Sequence, residues 1–304
     1  MRLERLYTCH LINHVPASTS WLIWIRDATA VRNVTLAAPT PDRGGRSPLV
    51  FFVLVFVLSV PFWIVGAATG LQLTPDLPVS SFIWVCPVIA ASLLVYRENG
   101  TAGVAALLRR SVDYARIPGK IWYVLTVLLL PGIYAATYGV MRLVGVPLPT
   151  VQFPVLAALS WFLGYFVAGQ CEELGWSGYA LDPLQARWTA LGASLLLGTI
   201  WAAFHFVPHV QGHRVPEWIA WWSLATVALR VLYTWLYNNT GGSVFATVMF
   251  HATGNLAQIG PFLDFGPGGY PLEAQRIAAV LFVVVAVVVT AVWGPRTLTR
   301  YRVA

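Results

Sequence analysis

From residue 48 onward the chain is a succession of apolar runs, each about twenty residues long and separated by short polar loops. About twenty apolar residues in helical form cross the roughly 30 Å hydrocarbon core of a bilayer. In lipid every backbone N–H and C=O must be satisfied within the protein, so a segment that crosses alone must be a helix. Composition agrees: 58% of the 304 residues are hydrophobic and 10% are charged, against about 25% charged in soluble domains. The expected fold is all-α, a polytopic membrane bundle of about eight transmembrane helices. The runs fall at 48–69, 79–96, 121–144, 153–179, 189–207, 218–237, 243–259 and 277–293.

The formal net charge of +7 does not point to nucleic acid, because the basic residues gather in short loops between apolar runs. Arg43 and Arg46 precede the first run; Arg97, Arg109, Arg110, Arg116 and Lys120 follow the second; Arg187 follows the fourth; Arg296, Arg300 and Arg302 follow the eighth. Alternation of this kind is the positive-inside pattern. It predicts a multi-pass protein of the cell membrane with both termini cytoplasmic. Residues 1–46 contain Arg, Asp, Asn, His, Thr and Pro with one short apolar patch at 21–25 and read as a cytoplasmic, disordered extension ahead of a membrane domain at 47–304. Between the second and third runs, residues 100–116 combine apolar residues at helical spacing with a basic face, as in a short helix lying on the membrane surface. Cys9, Cys86 and Cys171 are scattered and show no metal or disulfide spacing.

A few polar residues interrupt the apolar runs. Glu172 and Glu173 stand together in the fourth, His205 in the fifth, and His251 and Asn255 in the seventh. An ionisable group inside a membrane costs about 2.5–3.5 kcal/mol on insertion scales and marks function by default. Adjacent carboxylates are about 100° apart on a helix, so one can face a cavity while the other holds a neighbouring helix. Trp201 and His205, and His251 and Asn255, are four apart and share a helix face. Pooled in the bundle interior, these groups suit water activation by a carboxylate and hydrogen bonding to a carbonyl oxyanion, that is, hydrolysis of a peptide bond. A proton-coupled transporter would use the same residue types, as would an inert scaffold that keeps interhelical hydrogen bonds. His205, His209 and His213 mimic a zinc spacing, but Pro208 is expected to end the helix between them.

Three segments carry a family resemblance: Glu172-Glu173-Leu-Gly-Trp-Ser177, Trp201 or Phe204 with His205 and Pro208, and His251-x-x-x-Asn255. In this order they resemble the CPBP family of intramembrane proteases, which includes the type II CAAX prenyl proteases and bacteriocin-processing and self-immunity proteins. The resemblance covers about residues 150–260. It implies an intramembrane endopeptidase acting on a membrane-anchored, prenylated or hydrophobic peptide, with membrane lipids and a peptide or protein substrate as partners. It implies Glu172 as general base on water, His205 assisting, and His251 with Asn255 as the oxyanion hole. Glu173, Ser177 and Trp201 would support them. No cofactor is favoured; a bound Zn2+ would take Glu172, His205 and His251 as ligands. The family's first motif ends in Arg where this chain has Ser177, so the guanidinium beside Glu173 must come from elsewhere, with Arg187 and Arg230 as candidates, or the chain is a catalytically impaired scaffold or immunity protein. By the expected topology His205 lies nearer the far end of its run than Glu172, and a shared site requires the fifth span to sit low.

Overall fold

A computed structural model describes residues 47–74, 77–152, 154–259 and 270–299. The expected extension at 1–46 lies outside the described residues. Nine α-helices make up the described bundle. Helix α1 is Pro48–Thr69. A two-stranded antiparallel hairpin, β1 Gln72–Thr74 and β2 Leu77–Pro78, leads through a 3-10 segment, Val79–Val85, into α2, Cys86–Arg109. Then come α3, Lys120–Leu143, and α4, Val155–Gly175, which continues through a π-helical turn, Trp176–Ala180, into α5, Leu181–Arg187. Helices α6 (Ala190–Gln211), α7 (Pro216–Asn239), α8 (Val244–Ile259) and α9 (Leu272–Trp293) complete it.

Seven of the described helical segments are long and apolar enough to cross a membrane, so the chain is a multi-pass membrane protein. The run at 243–259 is the exception. Helix α8 has 16 residues, about 24 Å at 1.5 Å per residue, less than a bilayer core. It packs against α3, α4 and α7, and residues 243, 244, 246–248 and 250–254 are buried. A helix buried among other helices need not match the bilayer thickness.

Two further expectations change. The fourth run does not stop at Tyr179, because the π turn carries the helix on to Arg187. Pro208 does not end α6, which continues to Gln211. Residues 100–116 hold the expected short helix: the chain leaves helical geometry at Gly100 (φ 62°, ψ −158°), a kink that separates two helical stretches within α2, and the second runs to Arg109 before 3-10 turns at 110–112 and 114–116. Arg110 then turns into the bundle and donates to Gly178 O at 2.5 Å, Tyr237 Oη at 2.6 Å and Gly242 O at 3.1 Å. Asp113 accepts from Ser243 Oγ and from the backbone N–H of Val244 and Phe245. It thereby caps α8, whose first N–H groups have no partner within the helix. The basic loop is therefore a clamp that sets where α8 begins.

Two close helix approaches frame the interior. A Cβ at Gly198 of α6 would lie 2.9 Å from Val227 Cα of α7. At Gly175 it would meet Pro87 of α2 at 2.6 to 2.8 Å, and two of those three atoms are backbone. Gly175→Ala is expected to lower the stability of the detergent-solubilised protein by about 1–3 kcal/mol, the usual cost of overpacking. Gly164, on the same helix with nothing within 4 Å of an added Cβ, is the control, and thermal unfolding of the two alanine variants provides the comparison.

Candidate active site

Helix geometry brings the intramembrane polar residues to one level. Glu172 lies fifteen residues before Arg187, and His205 fifteen residues after Ala190. Both are thus about 22 Å along their helices from the same turn. Because the helix runs past Tyr179, Glu172 sits deeper than the sequence suggests, and the fifth span need not sit low. His251 enters seven residues into α8, whose start is held by the Arg110 and Asp113 contacts near Gly178.

The two carboxylates face different neighbours. Glu172 is 4% exposed and Glu173 is fully buried. Glu172 Oε2 accepts two indole N–H bonds, from Trp201 at 2.7 Å and from Trp176 at 3.2 Å. Its other oxygen, Oε1, lies 3.9 Å from His205 Nε2 and 4.0 Å from His251 Nε2. Those separations are beyond a direct hydrogen bond and match two polar groups that share one water. His205 Nδ1 is 3.0 Å from the Trp201 carbonyl. A carbonyl only accepts, so Nδ1 carries the proton and the neutral ring presents a lone pair at Nε2. The oxygen of Glu172 that is free of indole donors and two imidazole nitrogens therefore converge on one point.

Glu173 turns toward α7. It accepts from Arg230 Nη1 at 3.0 Å and Nη2 at 3.2 Å, from Ser177 Oγ, and from His251 Nδ1 at 3.3 Å. The Arg230 guanidinium is fully buried between the rings of Trp201 and Tyr233, at 4.4 and 4.5 Å from their centroids. A bidentate guanidinium–carboxylate pair of this kind is the strong form of ion pair, and breaking a buried pair from one side costs about 3–5 kcal/mol. Of the two arginines considered as substitutes for the motif arginine, Arg187 is exposed and donates to Pro183 O at 2.8 Å. Arg230 is the one at Glu173.

The structure thus joins Glu172, Glu173, Ser177, Trp201, His205 and His251. None of the hydrogen bonds in this cluster involves Asn255, which is half-buried one turn beyond His251. Trp176, not singled out in the sequence, supplies the second indole; its position four residues after Glu172 was the available signal. His209 does not join the cluster as a ligand. Its ring packs on Trp218 and Trp222, with centroids 5.2 and 4.3 Å away, and His213 lies beyond the end of α6 with φ 58°.

The donor set does not suit zinc as arranged. Among the described residues no group of three or more His, Cys, Asp or Glu is placed to hold a metal ion. Tetrahedral zinc with bonds of about 2.0–2.2 Å needs donors about 3.3–3.5 Å apart, closer than the 3.9 and 4.0 Å between Glu172 Oε1 and the two imidazoles.

Residues 154–257 match the family described as Type II CAAX prenyl endopeptidase Rce1-like. That match covers about a third of the chain. The chain is also 24% identical, over 238 residues, to CAAX prenyl protease 2 of Methanococcus maripaludis, an alignment that covers 70% of this chain and 84% of that protein. The part matched by the Rce1-like family contains every residue of the cluster, Arg230 included. Within it, the indole clamp on Glu172 is open to direct measurement. A double-mutant cycle of Trp201→Phe with Glu172→Gln, read by thermal unfolding, should show a coupling of about 1.5–3 kcal/mol, the range for a hydrogen bond to a charged group.

Proposed function

We propose that this protein is an intramembrane endopeptidase that hydrolyses a peptide bond of a membrane-anchored, prenylated peptide with water activated at Glu172. The observation that carries the reading is the convergence of Glu172 Oε1 with the Nε2 atoms of His205 and His251 at 3.9 and 4.0 Å. A water at that point donates one proton toward Glu172 and the other toward His205, whose Nε2 is free to accept. Glu172 takes the first as general base. The two indole N–H groups on Oε2 leave Oε1 for this task and fix its direction. The resulting hydroxide attacks the carbonyl carbon, and the carbonyl oxygen becomes the oxyanion. Glu172 then returns the proton to the leaving amine, which balances the cycle.

His251 and Asn255 are assigned to the oxyanion. For His251 to donate there, its ring carries protons on both nitrogens, and Glu173 stabilises that charge through the Nδ1–H bond. Donors of this kind are often the largest single catalytic contribution. The CAAX-processing name of the relative supports a substrate whose lipid chain keeps it at the membrane. The feature that favoured an impaired scaffold, serine at 177, weighs less once Arg230 stands beside Glu173. A metal-free mechanism is favoured by the donor spacing. The cytoplasm is assigned to the side of the bundle that carries Arg110, Arg116 and Arg187, by the positive-inside pattern.

The test is cleavage of a quenched fluorescent, farnesylated peptide ending in a CAAX sequence by purified protein in detergent. Glu172→Ala is expected to abolish cleavage. His205→Ala should lower kcat by about 10²–10⁴-fold, the range for a positioned acid–base group. Parental rates in both variants would overturn the assignment. Activity should persist after prolonged incubation with a zinc chelator and dialysis; loss that is restored by zinc would overturn the metal-free mechanism.

A further inference from the structure

Glu173 has more donors than a carboxylate needs simply to remain buried. Each oxygen accepts twice: Oε1 from Arg230 Nη2 and His251 Nδ1, Oε2 from Arg230 Nη1 and Ser177 Oγ. The bond to His251 links this carboxylate to the ring that faces Glu172. We propose that Arg230 is a positioning residue: from α7 it orients Glu173, and through Glu173 it aims the His251 ring at the reacting point. This rests on the endopeptidase reading above for its kinetic consequence, but not for its structural one.

Four observations carry it. Both Nη atoms of Arg230 engage the two carboxylate oxygens at 3.0 and 3.2 Å, a planar fork that sets the rotation of Glu173 as well as its charge. The guanidinium is itself fixed, held between Trp201 and Tyr233. The missing Cβ at Gly198 allows this, because a Cβ there would lie 3.2 Å from Arg230 Cβ. Trp201 is at once the flank of Arg230, a donor to Glu172, and an edge-on neighbour of His205 and His251, with ring centroids 5.7 Å away in both cases. Displacing the guanidinium would therefore disturb both sides of the site. Finally, Arg230 Nη1 is 3.4 Å from Ser177 Oγ. The position at 177, in the π turn that follows α4, and the guanidinium from α7 approach the same carboxylate oxygen, so an arginine at either position could occupy one shared space.

That last point makes the proposal testable by exchange. Arg230→Ala, Arg230→Lys, Ser177→Arg and the double variant Ser177→Arg/Arg230→Ala would be compared with the parent on the farnesylated peptide. The second readout is the ¹⁵N-histidine NMR signal of the His251 Nδ1–H, assigned by its loss in His251→Asn. Arg230→Ala should lower kcat by about 10–100-fold with KM little changed, and should abolish the Nδ1–H signal. Arg230→Lys keeps the charge but not the fork, and should show the same losses in a protein that folds if charge alone is what folding needs. Ser177→Arg alone should also be impaired, because two guanidinium groups then compete for one space. The double variant should recover both kcat and the signal. The proposal is overturned if Arg230→Lys retains parental kcat and signal, or if the double variant recovers thermal stability but neither of them. If the parent does not cleave the peptide, the functional reading fails, while the loss and recovery of the His251 signal still decides the role of Arg230.

Discussion

A carboxylate with no access to water must be neutralised inside the protein, and the contact of Glu173 with Arg230 does this at the point where α4, α7 and α8 meet. Desolvating the two charges is costly, and the geometry that offsets it is demanding: two parallel N–H···O bonds, a hydroxyl, an imidazole and two flanking aromatic rings. Such a contact tolerates little displacement of the helices that provide it. The close approach of α6 to α7 at Gly198 and of α4 to α2 at Gly175 follows from the same need, because any side chain at those positions would move one partner of the network.

With Glu173 held, Glu172 is left in a different environment on the next residue. Among the described residues no arginine or lysine pairs with it; two indoles hold one oxygen and two imidazoles stand off the other. Adjacent residues of one type thus serve separate ends because a helix turns by about 100° between them. The π turn that begins at Trp176 follows at once. Turns of this kind are rare and cluster at functional sites, and here one sits where the helix passes from lipid-facing residues to a fully buried stretch at 172–181.

Much of this was legible beforehand. The first run matches α1 at both ends, since Ser47 caps one end and Gly70, with φ 60°, closes the other. The intramembrane Glu and His residues stood out because lipid makes them expensive. Where the reading went astray, tertiary context outweighed a local rule. Proline at 208 lacks an N–H, yet leaving a helix in an apolar environment would expose still more backbone, so α6 continues. The helix at 100–116 was legible, but nothing in the sequence shows that Arg110 at its end has three acceptors inside the bundle. Trp176 was missed for a simpler reason: an indole on an apolar run looks like core until a carboxylate is known to face it.

Helix α4 has an uneven anchorage. Its first turns carry Leu156, Leu159 and Leu163 at 82%, 55% and 62% exposure, whereas its last turn and the π segment are enclosed on every side. It is held tightly at one end, at Glu173 and Gly175, while the leucines of its outer turns face away from the bundle. A substitution in the outer turns therefore meets lipid and little else, whereas one at the root is passed directly to Glu172 and its partners.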